Sequence, residues 1–349
     1  MSRPVTRPSA SELVSRVLLC VRGGAPELPA VVDALNDRKV EPVVFDSSAF
    51  PGGPGGAPIT LSYERGAFRA CGPCEMGPGL GDSIAAIWQN AVVGIDLPAM
   101  APGVRETCIS AAELAVVGLL DSLPAFQLDP HASQARAGNK PHQLRIAQQL
   151  GLEIPATIVT NDPMAVRAFA RRCGPLITKM LVQPASTGRE TDSDAAVVFT
   201  TPLTEADLEQ LDGLDLCPMI FQEQIDNQLD VRVTIAGKRL FGAALEAPAR
   251  AGGDLDWRRD SYARDLAPAW SPYELPRALA DRLLALLDHF GLNYGAVDLI
   301  VRPDGRHIFL ELNATGSFAF LGEPHAAPIA AAIADLLIDP AARRIAHHA

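Results

Sequence analysis

Lysine is nearly missing from this chain of 349 residues. It occurs only at Lys39, Lys140, Lys179 and Lys238, and arginine carries the rest of the positive charge. Basic residues are too few overall, and the net charge is −11. An acidic chain lacks the basic footprint that general nucleic-acid binding needs, so that class is excluded. Long apolar runs are also lacking. Val17-Leu-Leu-Cys-Val21 is too short for a membrane span or for the apolar core of a signal peptide. Of the six cysteines, only Cys71-Gly-Pro-Cys74 has the spacing of a redox or half-zinc motif. It has no second pair nearby and precedes a Gly/Pro-rich loop instead of a helix. Neither a zinc site nor thioredoxin-like chemistry is therefore expected. Reduced thiols in a soluble, cytoplasmic protein with no membrane partner are the expectation.

What is present is a globular chain. Apolar residues make up 48%, and the length suits two or three domains with ample core. In a chain that writes Arg elsewhere, a retained Lys marks a place where a compact point charge is wanted, and phosphate binding is one such place. Lys179 ends the apolar run Pro175-Leu-Ile-Thr-Lys179. Lys140 opens a helix at Asn139-Lys-Pro141, near the positive end of its dipole. Each alone also reads as a solvated lysine.

The most informative stretch lies near the C-terminus. Gly295-Ala-Val-Asp298-Leu-Ile-Val and Ile308-Phe-Leu-Glu311-Leu-Asn313 read as two apolar strands joined by the turn Pro303-Asp-Gly305. A buried carboxylate is costly unless it is paired or holds a cation. Asp298, Glu311 and Asn313 supply three hard oxygen ligands on neighbouring strands, and Glu311 and Asn313, two apart, share a face. Such a set suits Mg²⁺, which completes its shell with water and phosphate. An ordinary hairpin with surface acids is the plain alternative, and the apolar flanks argue against it.

The chain divides into a loose tail over 1–14, an N-terminal α/β domain over 15–125, a central piece over 126–205 and a C-terminal piece over 206–349. The first domain starts strand–helix–strand over 17–21, 28–37 and 42–45. A hairpin over 59–63 and 68–70, a strand over 84–88 and a helix over 107–122 follow. Ile109, Leu114, Val117 and Leu120 of that helix are expected to face inward. The central piece holds a helix over 140–150 ended by Gly151, a strand over 156–160, a helix over 164–173 and the strand ending at Lys179. A polar loop over 186–194 and a strand over 195–200 complete it. The C-terminal piece has strands over 219–225, 230–235 and 240–246 and a polar insertion over 250–264. A helix over 276–290, the two acid-bearing strands and a helix over 328–337 close the chain.

In order, the pattern Lys140, Lys179, Gln222-Glu223, Asp230-Val-Arg232, Asp298 and Glu311-Leu-Asn313 resembles the ATP-grasp superfamily over roughly residues 126–338. Asp256-Trp257-Arg258 and Tyr294-Gly295-Ala-Val-Asp298 tilt the resemblance toward the graspetide (microviridin-type) peptide macrocyclases. It implies an α/β ATP-grasp fold of three subdomains, with ATP between two antiparallel sheets. It further implies that Lys140 and Lys179 grip the ATP phosphates. Gln222, Glu223 and Ile225 would line the adenine pocket, and Asp230 would reach the ribose. Arg232 would stabilise charge on the transferring phosphoryl group, and Asp298, Glu311 and Asn313 would bind Mg²⁺. Asp256, Trp257 and Arg258 would grip the peptide.

The implied function is an ATP-dependent macrocyclase. It activates Asp/Glu side chains of a ribosomal precursor peptide, with leader and core, as acyl phosphates, and links them to Ser/Thr hydroxyls or Lys amines. An intermolecular carboxylate–amine ligase acting on a small acid or peptide end is the alternative. A nucleotide-regulated peptide-binding protein is the non-catalytic one. The oligomeric state stays open, a homodimer included. The chain departs from the macrocyclase pattern at Asn313-Ala-Thr-Gly316-Ser-Phe318, where Pro and later Gln-Trp are frequent, and at Trp88-Gln-Asn90, where relatives show Trp-x-Arg.

Lysine scarcity makes one direct prediction. Lys179→Ala raises the KM for ATP far more than Lys39→Ala does, because Lys179 ends a buried-type strand whereas Lys39 follows a polar turn. Equal small effects in steady-state assays of both variants would refute the reading.

Overall fold

The computed structural model describes residues 16–51, 59–64, 67–71, 83–90, 97, 100–182, 200–247 and 269–347. The loop over 186–194, most of the strand expected over 195–200 and the insertion over 250–264, with Asp256, Trp257 and Arg258, lie outside them. Cys74 also lies outside. The chain forms two compact units, one of residues 1–131 with 330–349, the other of residues 132–329.

The first unit is built on a parallel sheet. β1 (Arg16–Val21) and β2 (Glu41–Asp46) flank the helix Leu28–Asp37, and β3 (Thr60–Glu64) pairs with β4 (Ala67–Cys71) as a separate antiparallel hairpin. β5 (Ile84–Gln89) and β6 (Phe126–Leu128) complete the order β2-β1-β5-β6. β1 is buried from Val17 to Val21, as a central strand of a parallel sheet requires.

The helix Pro102–Asp121 buries Ala112, Val116, Leu119 and Leu120. Leu114, expected to face inward, is 73% exposed. It lies two residues from Ala112, about 200° round the helix, and so falls on the opposite side. Ile109 and Val117 are only half-buried. In this unit Arg38 Nε also donates to Asp335 Oδ1 at 2.8 Å, and the Arg343 guanidinium lies over the Phe126 ring at 3.5 Å. The end of the chain is thereby tied to the N-terminal sheet, a pairing of distant segments that local patterns do not reveal.

The second unit carries two antiparallel sheets. After the helices His131–Ala137 and Lys140–Gln149 come β7 (Thr157–Thr160), β8 (Leu176–Lys179), β9 (Thr201–Pro202) and β10 (Met219–Glu223), in the order β7-β10-β8-β9. The helix Pro163–Cys173 covers this sheet. Asp162 caps it by accepting the Met164 N–H at 2.8 Å, and Val166 and Phe169 pack on Leu176 and Phe221.

The larger sheet follows as β11 (Leu229–Ala236), β12 (Arg239–Glu246), β13 (Ser271–Pro272), β14 (Tyr294–Val301) and β15 (His307–Asn313), in the order β13-β12-β11-β14-β15. The amphipathic helix Arg277–Phe290 buries Leu279, Leu283, Leu286, Leu287 and Phe290. These pack with Val231, Val233, Ile235, Val297, Leu299 and Leu312 of the sheet. Full burial of each such leucine contributes roughly 1.5–3 kcal/mol. Alternation along β11 gives Val231, Val233 and Ile235 to that core and turns Arg232 to the other face. The site is built on this other face.

The helix over 140–150 ends as expected, with Gly151 at φ +77°. The short β6, β13 and His131–Ala137 elements are additions, being too brief to carry a period of their own.

Candidate active site

Strand register does most of the assembly. Arg232 pairs across β11 and β14 with Asp298, and Asp298 pairs across β14 and β15 with Glu311. Asn313 lies two residues beyond Glu311 and pairs with Ala296. One row of the sheet therefore reads cation, acid, acid.

The guanidinium of Arg232 holds Asp298 from one side. Its Nη1 donates to Asp298 Oδ1 at 2.7 Å and Oδ2 at 2.9 Å, and its Nη2 donates to the Ser317 carbonyl at 2.9 Å. The Phe320 ring lies 5.7 Å from the guanidinium carbon. Gly316 permits this closeness, since a Cβ there would sit 2.7 Å from Arg232 Nη2 and 2.5 Å from Ala296 Cβ. The Tyr294 hydroxyl donates to the Gly316 carbonyl at 2.6 Å and holds the same loop. Sequence reasoning did not give Phe320, Ser317 or Gly316 a role. Tyr294-Gly295 stands inside a family-like stretch, which is the available signal for this loop.

The other end of the row meets lysine. Lys140 starts its helix behind the Asn139 cap, whose Oδ1 accepts the His142 N–H at 3.1 Å, and its Nζ reaches Glu311 Oε2 at 3.0 Å. Lys179, at the end of β8 in the smaller sheet, acts on the same carboxylate. Burial alone would raise the Glu311 pKa. The charges of Lys140 and Lys179, then hydrogen bonds from Lys140 and Asn313, outweigh burial and bring it down to about 2. Glu311 is thus an anion at neutral pH, as a metal ligand must be.

The acids and the amide also fit a divalent cation. Asn313 Nδ2 donates to Asp298 Oδ2 at 3.1 Å and to Glu311 Oε1 at 3.3 Å. That nitrogen marks a point within reach of both carboxylates, and turning the amide over presents Oδ1 beside them. Among the described residues no group of three His, Cys, Asp or Glu side chains is placed to hold a metal. Two acids and one amide suit Mg²⁺, which keeps water and phosphate oxygens in its shell and needs no full protein cage.

The end of the smaller sheet supplies a second set. Gln222 pairs with Thr157 and Ile177 in the register, and its Nε2 donates to Thr157 Oγ1 at 2.9 Å. Its Oε1 is buried with no partner among the described residues. Glu223 bonds Ala156 through its backbone N–H at 2.9 Å, and Ile225 is buried in the linker to β11. Asp230 Oδ1 accepts from Asn227 Nδ2 at 2.8 Å, two residues before Arg232. The structure therefore brings Lys140, Lys179, Arg232, Asp298, Glu311 and Asn313 together and strings Gln222, Glu223, Ile225 and Asp230 along the connection between the two sheets.

Two antiparallel sheets of one unit, with lysines and an acid–acid–amide set directed together, define an ATP-grasp ligase. No protein-family profile matches the chain, and no curated protein does. Solved structures do. The macrocyclase MdnC of Microcystis aeruginosa MRC, determined with precursor peptide MdnA, is 35% identical over 93% of this chain and 99% of its own, with a TM-score of 0.78. A RiPP-associated ATP-grasp ligase of Chryseobacterium gregarium, determined with ADP and a leader and core peptide, is 27% identical. It covers 96% of this chain and 99% of its own at a TM-score of 0.83. The ATP-grasp ligase PsnB, determined with a phosphomimetic variant of a minimal precursor, Mg and ADP, shares the fold at 24% identity. It covers 91% of this chain and 97% of its own, with a TM-score of 0.64. The chain belongs to the family of ATP-grasp peptide macrocyclases.

The depressed pKa of Glu311 has a stability consequence. A carboxylate with a lowered folded-state pKa stabilises the fold above its ordinary pKa, and that stabilisation is lost as pH falls toward the folded value. Glu311→Gln should therefore be less stable than the wild type at pH 7. The gap should close as pH drops from 4.5 toward about 2. Urea midpoints at several pH values measure this, and a gap independent of pH would contradict the assignment.

Proposed function

We infer that this protein is an ATP-dependent macrocyclase of a ribosomal precursor peptide. The observation that carries the inference is the Glu311 carboxylate, held ionised between Lys140, Lys179 and Asn313 beside Asp298. Phosphoryl transfer asks for charge neutralisation and positioning more than for a covalent protein group. Lys140 and Lys179 would bind phosphate oxygens of ATP, and the Gln222–Ile225 connection would meet the adenine edge, where the buried Gln222 Oε1 offers an acceptor. Asp230 would reach the ribose. Mg²⁺, held by Asp298, Glu311 and Asn313, would supply the charge that offsets the triphosphate.

In the reaction, an oxygen of a peptide Asp or Glu carboxylate attacks the γ-phosphorus, and the bond to the ADP oxygen breaks. Arg232, already fixed on Asp298, offsets charge on the transferred group. A hydroxyl or amine of the same peptide then attacks the acyl carbon, loses its proton and expels phosphate, leaving an ω-ester or ω-amide. Closed sheets would exclude water from the acyl phosphate, which would otherwise hydrolyse.

The precursor is gripped apart from the chemistry. An open groove of about 560 Å³ beside the start of the helix Arg277–Phe290 is lined by Leu240, Gly242, Pro272, Tyr273, Glu274, Leu275 and Ala280. Its mainly apolar lining with one acid suits an amphipathic leader, and Asp256, Trp257 and Arg258 would set its register. No helix among the described residues is long and apolar enough to cross a membrane. The place of action we propose is the cytoplasm.

Incubation with ATP, Mg²⁺ and the precursor should remove the mass of one water per ring, read by mass spectrometry. Glu311→Ala and Asp298→Asn should abolish both that loss and substrate-dependent ATP hydrolysis while remaining folded. Unchanged hydrolysis in either variant would refute the metal assignment. Asp256→Ala or Arg258→Ala should weaken calorimetric binding of the full precursor and spare ATP affinity. A core segment that binds as tightly as the whole precursor would instead favour the intermolecular ligase.

A further inference from the structure

β15 is the outer strand of its sheet, so the backbone groups on its free edge need partners from outside the sheet. At Leu312 one side chain supplies both. Gln143 Oε1 accepts the Leu312 N–H at 2.8 Å, and Gln143 Nε2 donates to the Leu312 carbonyl at 2.7 Å. The same Nε2 donates to the Ala137 carbonyl at 2.8 Å. Gln143 is 1% exposed. A primary amide carries the same donor and acceptor as a peptide unit, so Gln143 stands in for one residue of a neighbouring strand. Further along the edge, the Phe309 N–H donates to the Glu153 carbonyl at 2.7 Å.

Leu312 lies between Glu311 and Asn313. Its side chain enters the core while theirs share the other face. Gln143 also follows Lys140 by three residues on one helix, one turn along the same side. The helix that delivers a cation to Glu311 is thus bonded, one turn later, to the backbone between the two ligands.

We propose that Gln143 is a positioning residue of the cation site. Its amide clamps Leu312 on the edge of β15 and thereby sets the directions of Glu311 and Asn313 against Lys140. The proposal rests on the ATP-grasp reading of those residues. With the clamp in place, the peptide groups of Leu312 are held on their outer side and the edge strand does not twist about its axis. Without it, a buried N–H and a buried carbonyl lose their partners, and the ligand pair loses its fixed geometry.

The test uses the full chain with ADP. Free Mn²⁺ is followed by electron paramagnetic resonance during titration, and kcat and KM are measured with Mg²⁺. Gln143→Met keeps the shape and removes all three hydrogen bonds. It should raise half-saturating Mn²⁺ by on the order of 10–100-fold, lower kcat and leave the KM for the precursor unchanged. Gln143→Glu keeps the acceptor for the Leu312 N–H and loses the donor, and should weaken Mn²⁺ in the same direction. Ile146→Ala, a core truncation in the same helix, is the control: its Tm should fall while Mn²⁺ affinity holds. Wild-type affinity in a folded Gln143→Met, or an equal loss in Ile146→Ala, would overturn the proposal. If Gln143→Met does not fold, the Gln143→Glu titration decides. If neither folds, Gln143 is a purely structural residue and the proposal fails. A wild-type protein that binds no Mn²⁺ with ADP refutes the metal reading first, and the proposal with it.

Discussion

Burial works against the charge on the Glu311 carboxylate, and Lys140 and Lys179 outweigh it and keep the group ionised. Much of the rest of the site follows from that balance. A second acid, Asp298, stands opposite Glu311 on the next strand, where two like charges would repel. The repulsion is offset because each acid has its own cation, Arg232 for Asp298 and the lysines for Glu311, with the Asn313 amide between them. Cations therefore flank the pair of acids at either end, and the anions are held ready in a setting of reduced dielectric.

The cations are not interchangeable. Arg232 uses two nitrogens of a planar fork, Nη1 on Asp298 and Nη2 on the Ser317 carbonyl, with Phe320 near its face. A lysine there would offer one point of charge, and the loop after β15 would lose the Arg232 bond to Ser317 and keep only the Tyr294 bond to Gly316 from these two side chains. Lys140 and Lys179 instead come to Glu311 from a helix start and from the end of a strand in the other sheet. Both are compact charges on flexible stems, each meeting the carboxylate as a single point of charge.

The larger sheet has two working faces. One packs on the helix Arg277–Phe290 through a leucine-rich stripe, and the other presents the charged row. Strand alternation joins them, so tight packing beneath β11, β14 and β15 also limits how far Arg232, Asp298 and Glu311 can stray. The edge of β15 lacks a neighbouring strand and is closed by Gln143 and by the Glu153 carbonyl.

Much of this was legible in residue order. Apolar runs interrupted by Asp298 and by Glu311-Leu-Asn313 announced buried strands with a purpose, because an acid in such a run needs a partner. Lysine scarcity marked Lys140 and Lys179, because a chain that writes Arg elsewhere keeps Lys where a compact charge is wanted. The helices over 28–37 and 140–150 and the strands of the larger sheet showed through because each has a long enough period and a Pro, Asn or Gly boundary. Leu114 misled because several helical faces can be drawn through the same apolar residues, and only packing selects the one with Ala112 and Val116. The identity of the groups, their spacing within each strand and the resemblance to ATP-grasp macrocyclases were determined by the sequence alone. Tertiary structure alone decided that Arg232, Asp298 and Glu311 fall in one row and that the Gln143 amide closes on Leu312, 169 residues away. Register between distant strands and bonds from a helix to a sheet edge are set by three-dimensional packing, and no local pattern encodes them.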